Sequence, residues 1–203
     1  RKQDAKAFRG LVGLLRHRTK VSQLPLRADG SVPVTTLLQL PDYSSFRLED
    51  LQRMVQCQRD VRMEMFREGD EWFIRTTRGH SMSHVETAAV SQRRIADPQE
   101  VPACVHGTFW EHWPSIRRDG LSSVRRNCIH FGQDKVPHKG HELHIYVDLG
   151  AAMADGYAFY LTAGGYILSP GRDGDGILPT KYFEKVIDAR TNEPVPLECI
   201  LYL

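Results

Sequence analysis

Cysteine is scarce in this chain. Cys57, Cys104, Cys128 and Cys199 lie far apart, with no CxxC pair. That argues against a zinc site or a redox motif and fits free thiols in a reducing compartment. No run of 18 apolar residues exists, so no membrane-spanning helix is expected. The opening Arg1-Lys2-Gln3-Asp4 carries no apolar signal-peptide core, and the expected location is intracellular, cytoplasm or nucleus. Standard catalytic patterns are missing as well: GxSxG, HExxH, GxxxxGK[ST] and GxGxxG do not occur. Carboxylates do not cluster as a glycosidase pair or a metal pair would require.

What is present is an ordinary globular composition, 41% hydrophobic and 26% charged over 203 residues, enough for one large domain or two small lobes. The net charge of +2 is unevenly spread: residues 1–100 hold 17 Lys/Arg against 13 Asp/Glu, and residues 101–203 hold 10 against 12. Arginine outnumbers lysine 20 to 7, and arginine is the better bidentate partner for phosphate. A weakly basic first half suits an anionic partner such as RNA, although an Arg-rich solvated surface explains the charge equally well.

Helical spacing opens the chain, with Phe8, Leu11, Val12 and Leu15 on one stripe. Arg16 and His17 follow at its C-terminal end, where cations complement the helix dipole. Short helices are predicted over 34–40 and 46–56, the latter with Glu49 and Asp50 in its first turn. A hairpin follows, built from Val61, Met63 and Met65, the turn Glu68-Gly69-Asp70, and Trp72-Phe73-Ile74. Three helices closed by a hairpin make a winged-helix-like lobe over 1–83. Residues 84–99 read as a linker, and 100–203 as a β-rich lobe with short helices, so the fold class is α+β. In that lobe a strand ends at His106-Gly107-Thr108, and a helix from Trp113 stops before Gly120. Further strands are predicted at 129–131, 143–149, 158–161, 166–169, 183–187 and 197–203.

Cationic constellations stand out: Arg16-His17, Arg75, the Gly79-His80-Ser81 triplet, and Arg126 before Ile129-His130-Phe131. Each alone has an ordinary structural reading as a helix cap, a solvated strand residue, a turn or a core histidine. Together, and without metal-ligand spacing, they suit stabilisation of a phosphate anion.

Their order carries more. Leu14-Leu15-Arg16-His17, Arg27-Ala28-Asp29-Gly30, Ile74 to Ser81, His106-Gly107-Thr108, Gly120-Leu121 with Arg126 to Phe131, and Gly156 to Tyr160 follow one another along the chain. This resembles the NAD-dependent RNA 2′-phosphotransferase family, which reads LLRH, RADG, IRAxQGHS, HGT, GLxxMxRxHIHF and GxxFY in the same order. The resemblance runs from about Leu11 to Phe183. This chain departs from it with Ser31, Thr76, Arg78, Val124 and Cys128, and with Leu161 to Tyr166 in place of a serine-rich stretch.

The resemblance implies a winged-helix-like RNA lobe followed by an ADP-ribosyltransferase-like lobe that binds NAD. It implies a catalytic tetrad of Arg16, His17, Arg75 and Arg126, the first three from one lobe and Arg126 from the other. His106, Gly107, Thr108, His130 and Phe131 would bind NAD, the co-substrate, and no metal is implied. The implied partner is RNA bearing an internal 2′-phosphate, a tRNA, with the protein a monomer. In the implied reaction the 2′-phosphate attacks the ribose carbon bonded to nicotinamide and expels nicotinamide. The ribose 2″-hydroxyl then attacks that phosphate, giving 2′-hydroxyl RNA and ADP-ribose 1″,2″-cyclic phosphate. Two other readings compete: an ADP-ribosyltransferase capping phosphorylated nucleic-acid ends, which needs only the first step, and a non-catalytic RNA-binding module, which predicts a degraded tetrad.

Overall fold

The computed structural model describes residues 2–18, 24–58, 60–82, 84–90, 93–133 and 140–197. Helices and antiparallel strands make a mixed α+β chain that divides into two compact units. The first comprises Arg1–Gln92 together with Arg125–Asn127 and Thr162–Gly164; the second comprises Arg93–Val124, Cys128–Leu161 and Gly165–Leu203.

In the first unit, α1 (Lys2–Gly13) runs directly into a π-helical turn, Leu14–Arg18. Leu11 and Leu15 are fully buried, as the stripe predicts, while Phe8 is only partly covered. A π turn inserts an extra residue into the helical register and is frequent at functional sites; here it carries Arg16 and His17. Strand β1 (Val32–Pro33) leads into α2 (Val34–Leu37), shorter than the sequence suggests, and α3 (Leu48–Gln56) follows. The Asp50 carboxylate accepts from the Arg47 N–H at 2.9 Å and caps α3. The hairpin is β2 (Met63–Glu68) and β3 (Glu71–Thr76), and β3 is the centre of a three-stranded sheet ordered β1-β3-β2. Helix stripe and sheet face meet in one core of Leu11, Leu15, Val32, Leu37, Leu51, Met63 and Ile74.

The span that reads as a linker contains short structure: α4 (Thr87–Val90), β4 (Arg93–Arg94) and a 3-10 turn at Pro98–Glu100. The second unit continues with β5 (Val105–Thr108), α5 (Trp113–Asp119), β6 (Leu121–Ser122), β7 (Ile129–Phe131), β8 (Leu143–Val147), α6 (Leu149–Ala154), β9 (Tyr160–Leu161), β10 (Ile167–Ser169), β11 (Ile177–Leu178) and β12 (Phe183–Asp188). Its sheets are ordered β4-β9-β10-β7, β12-β8-β5 and β11-β6.

Strand β8 alternates buried and half-buried residues, as the period-two pattern predicts. It stops two residues earlier than expected. Asp148 accepts from the Ala151 N–H and caps α6, so Leu149 reaches the core from a helix. Pro114 sits in the first turn of α5, and Gly120 ends it at φ 87°. The short pieces β6 and β11 are not legible as strands in the sequence, because two residues carry no alternation. The strand predicted over 197–203 falls, beyond Leu197, outside the described residues, as does Cys199. Among the described residues no disulfide joins Cys57, Cys104 and Cys128, and burial pushes the Cys104 thiol up. No helix among the described residues is long and apolar enough to cross a membrane.

Candidate functional site

Two groups of predicted residues are gathered, one in each unit. The first contains Arg16, His17, Arg75 and Arg126. The sequence places Arg126 in the C-terminal lobe, but residues 125–127 belong to the first unit. The reason lies in its neighbour. Asn127 donates through Nδ2 to the Met82 and Val85 carbonyls at 2.8 and 2.9 Å, and its N–H donates to the His80 carbonyl at 3.0 Å. Three hydrogen bonds hold this segment to the strip that follows β3. In the sequence Asn127 stands out only as part of a motif.

That strip also holds the π turn. Ser81 N–H donates to the Arg16 carbonyl at 3.2 Å, and the Ser81 hydroxyl lies 2.9 Å from His17 Nδ1. The imidazole is therefore fixed at one nitrogen. Gly79, at φ 84°, comes so close to Arg16 that a Cβ there would stand 3.3 Å from the guanidinium. Arg16 Nε is buried with no hydrogen-bond partner among the described residues. Burial first, then the charges of Arg78, Arg62 and Arg126, lower its guanidinium to about 10. A crowded, partly desolvated arginine gains much from an incoming anion.

Arg75 is differently placed. The sequence allows either a solvated strand residue or a phosphate ligand. In the structure Nε donates to Glu64 at 2.6 Å, and Nη1 donates to Asp29 Oδ2 and the Ala89 carbonyl, both at 3.1 Å. Its guanidinium also lies over the Phe66 ring. Two carboxylates therefore neutralise Arg75 and fix its orientation, while Arg16 is surrounded by like charge.

His80, part of a turn triplet in the sequence, is buried, with Nε2 2.8 Å from the Thr76 hydroxyl. Burial first, then Arg16, His17 and Arg75, push its imidazole down to about 4, against a smaller opposite pull from Asp29. The native protein therefore keeps His80 neutral where the unfolded chain protonates it. The stability this supplies is whole above about pH 6.5 and is lost as pH falls towards about 4, on the order of 3 kcal/mol over that window. Urea unfolding midpoints should drop between pH 7 and pH 4.5, and His80→Gln should flatten that slope. Equal slopes in the two proteins would remove His80 as the cause.

The second group lies on β5 and β7. Val105 and Gly132 exchange both backbone hydrogen bonds, which sets the two strands side by side. His106 Nδ1 donates to the His130 carbonyl at 2.9 Å, and His130 Nδ1 donates to the Cys128 carbonyl at 2.9 Å. A carbonyl only accepts, so both Nδ1 atoms carry protons and both tautomers are set. The His106 ring meets Phe131 edge-on at 5.9 Å. Phe131 and Thr108 are buried, Phe131 completely, so Phe131 supports His106 from the core side. No group of three or more His, Cys, Asp or Glu among the described residues is arranged to hold a metal ion.

The first unit gathers Arg16, His17, Arg75 and Arg126, and the second carries two imidazoles fixed at Nδ1; side chains of these types can act on an anion by charge and positioning. The family model described as RNA 2'-phosphotransferase, Tpt1 / KptA family, matches residues 2–171. The chain is 38% identical to tRNA 2'-phosphotransferase 1 of Homo sapiens over 208 residues, covering 96% of this chain and 80% of the relative. It is 37% identical to the Mus musculus protein of the same name, covering 90% and 77%. Identity to the Danio rerio protein of that name is 33%, covering 98% and 91%. This chain belongs to the RNA 2′-phosphotransferase family and is an enzyme of that class.

Proposed function

We propose that this enzyme removes the splice-junction 2′-phosphate of tRNA by transferring it to NAD. The observation that carries this reading is the convergence of Arg16, His17 and Arg126 in one unit from distant parts of the sequence, with Arg75 on the strand that leads into the same strip. The first unit acts as a winged-helix-like RNA lobe and the second as an ADP-ribosyltransferase-like lobe. His106, Gly107, Thr108 and His130 are the residues that would hold NAD. Two imidazoles of set tautomer beside an apolar wall suit a ligand with both ring faces and ribose hydroxyls.

NAD supplies a ribose carbon activated by its bond to a cationic pyridinium. The RNA phosphate supplies the nucleophile, so no enzyme Ser or Cys is required. What remains for the protein is positioning and anion stabilisation. Arg16 and Arg126 neutralise the phosphate oxygens. His17 donates a hydrogen bond or a proton from the nitrogen opposite Ser81. Arg75 shapes the rim from a fixed orientation.

The test uses an oligonucleotide with an internal 2′-phosphate, with and without NAD, in the presence and absence of EDTA. Phosphate removal should require NAD, survive EDTA and yield nicotinamide and ADP-ribose 1″,2″-cyclic phosphate. Removal without NAD, or loss on chelation, would overturn the reading. An RNA that keeps its phosphate and gains a stable ADP-ribose would favour the end-capping alternative.

A further inference from the structure

A second guanidinium group lies beside Arg16 and has no task in the reaction described. Asp60 accepts from Arg78 Nη2 through both oxygens, at 2.9 and 3.1 Å, and from Arg62 Nε at 3.1 Å. Thr77 N–H donates to the Arg62 carbonyl at 3.0 Å, while the Thr77 hydroxyl and Arg78 Nη1 donate to the Val61 carbonyl at 2.7 and 3.2 Å. Residues 60–62 are thereby strapped to the continuation of β3, one residue before the Gly79 that touches Arg16. Arg78 is nearly enclosed, its side chain 11% exposed, whereas that of Arg62 is 44% exposed. Arg62 is thus held at Nε, and its two terminal nitrogens have no protein partner among the described residues.

The charge count is unbalanced here. Arg16 feels Arg78, Arg62 and Arg126 against the single carboxylate Asp60, whose two oxygens are already taken. Arg75, by contrast, is paired with two carboxylates, Glu64 and Asp29. Surplus positive charge next to a phosphate site calls for a second anion. The substrate's covalent structure supplies one. A 2′-phosphorylated nucleotide inside a chain bears a 3′,5′-phosphodiester on the neighbouring ring carbon of the same ribose. Any site that holds the 2′-phosphate brings that second phosphate along at a fixed short distance.

We propose that Arg62, oriented by the Asp60–Arg78 pair, binds the vicinal 3′-phosphodiester of the RNA next to the 2′-phosphate held at Arg16. This deepens, and rests on, the assignment of Arg16 to the 2′-phosphate. It gives the enzyme a means to prefer internal 2′-phosphates over terminal ones, because only an internal site carries both anions side by side. Asp60 and Arg78 are positioning residues.

The experiment pairs a protein change with a substrate change. Two 2′-phosphorylated oligonucleotides are compared, one with the native 3′ linkage and one with a neutral methylphosphonate there. kcat/KM is measured for the wild-type enzyme, Arg62→Ala and Arg62→Lys. Removing one charge-assisted hydrogen bond should cost roughly 10- to 100-fold, mainly in KM. Wild-type enzyme should show that loss on the methylphosphonate, and Arg62→Ala should show it on the native linkage. The combination should lose no more than either alone. Arg62→Lys should recover part of the native-linkage activity, and the salt slope of binding for Arg62→Ala should fall by about 1. Losses that multiply, or a methylphosphonate that costs wild type nothing, would overturn the proposal. Arg62 is exposed enough that its variant should melt as wild type does, and the substrate comparison separates any lowered melting temperature from the effect on the phosphodiester. If wild type turns over neither oligonucleotide, the proposed function has failed, and the same cycle read as Kd by fluorescence anisotropy still decides the subsite.

Discussion

Quenched reactions of His17→Ala or Arg126→Ala with 2′-phosphorylated RNA and NAD should contain an RNA heavier by one ADP-ribose, detectable by mass spectrometry and scarce in wild-type reactions. The expectation follows from the different demands of the two proposed steps. The first needs the phosphate held in line with a carbon that is already activated. The second builds charge on the phosphorus as the ribose hydroxyl attacks, and so leans harder on donors aimed at the phosphate oxygens. Removing one such donor typically costs about 100- to 1,000-fold, enough for the product of the first step to accumulate. These two variants are cleaner than Arg75→Ala. Arg75 is held between Glu64 and Asp29, and its removal leaves both carboxylates without their partner, which confuses a catalytic effect with a structural one. If His17→Ala and Arg126→Ala turn over as fast as wild type, the site is on other residues. If both are dead with no intermediate, the separation of steps fails.

Gly120→Ala should destabilise the second unit by at least about 3 kcal/mol, read as a lowered thermal unfolding midpoint. Gly120 ends α5 at φ 87° and ψ 179°, a region open essentially to glycine. A Cβ there would stand 2.5 Å from the Leu178 carbonyl oxygen and 3.1 Å from the Pro179 Cα. Those are backbone atoms of β11, which pairs with β6, and of the turn after it, so the neighbour cannot swing away as a side chain would. Backbone strain and steric clash therefore add. An alanine variant that melts with wild type would mean that the β6–β11 pair is not held as described.

The periodic elements are legible in the sequence because burial acts on spacing. The stripe through Leu11 and Leu15 and the alternation of Leu143, Ile145 and Val147 each put their apolar groups on one side of a regular backbone. Gly120 and Pro114 are legible for a local reason, since each restricts or frees a single φ. Elements of two residues, such as β6 and β11, have too few positions to show a period. The capping Asp148 likewise ends β8 through a side-chain hydrogen bond that competes with the strand pattern.

The candidate site divides along the same line. The identities and order of Arg16, His17, Arg75, Arg126, His106 and His130 stand in the sequence, because chemistry is carried by residue type and the motifs are collinear. Their company does not. That Arg126 joins the first unit is decided by three hydrogen bonds from its neighbour Asn127 to backbone groups of 80–85. That Arg75 is neutralised while Arg16 is crowded is decided by the β2–β3 register that sets Glu64 opposite Arg75, by the turn that carries Asp29 to it, and by the strap that brings Arg62 and Arg78 beside Gly79. Charges in a sequence are only counts. Whether an arginine meets a carboxylate or another arginine depends on separations of a few ångströms between segments far apart in the chain, and Coulomb energy in a partly desolvated site turns on those separations.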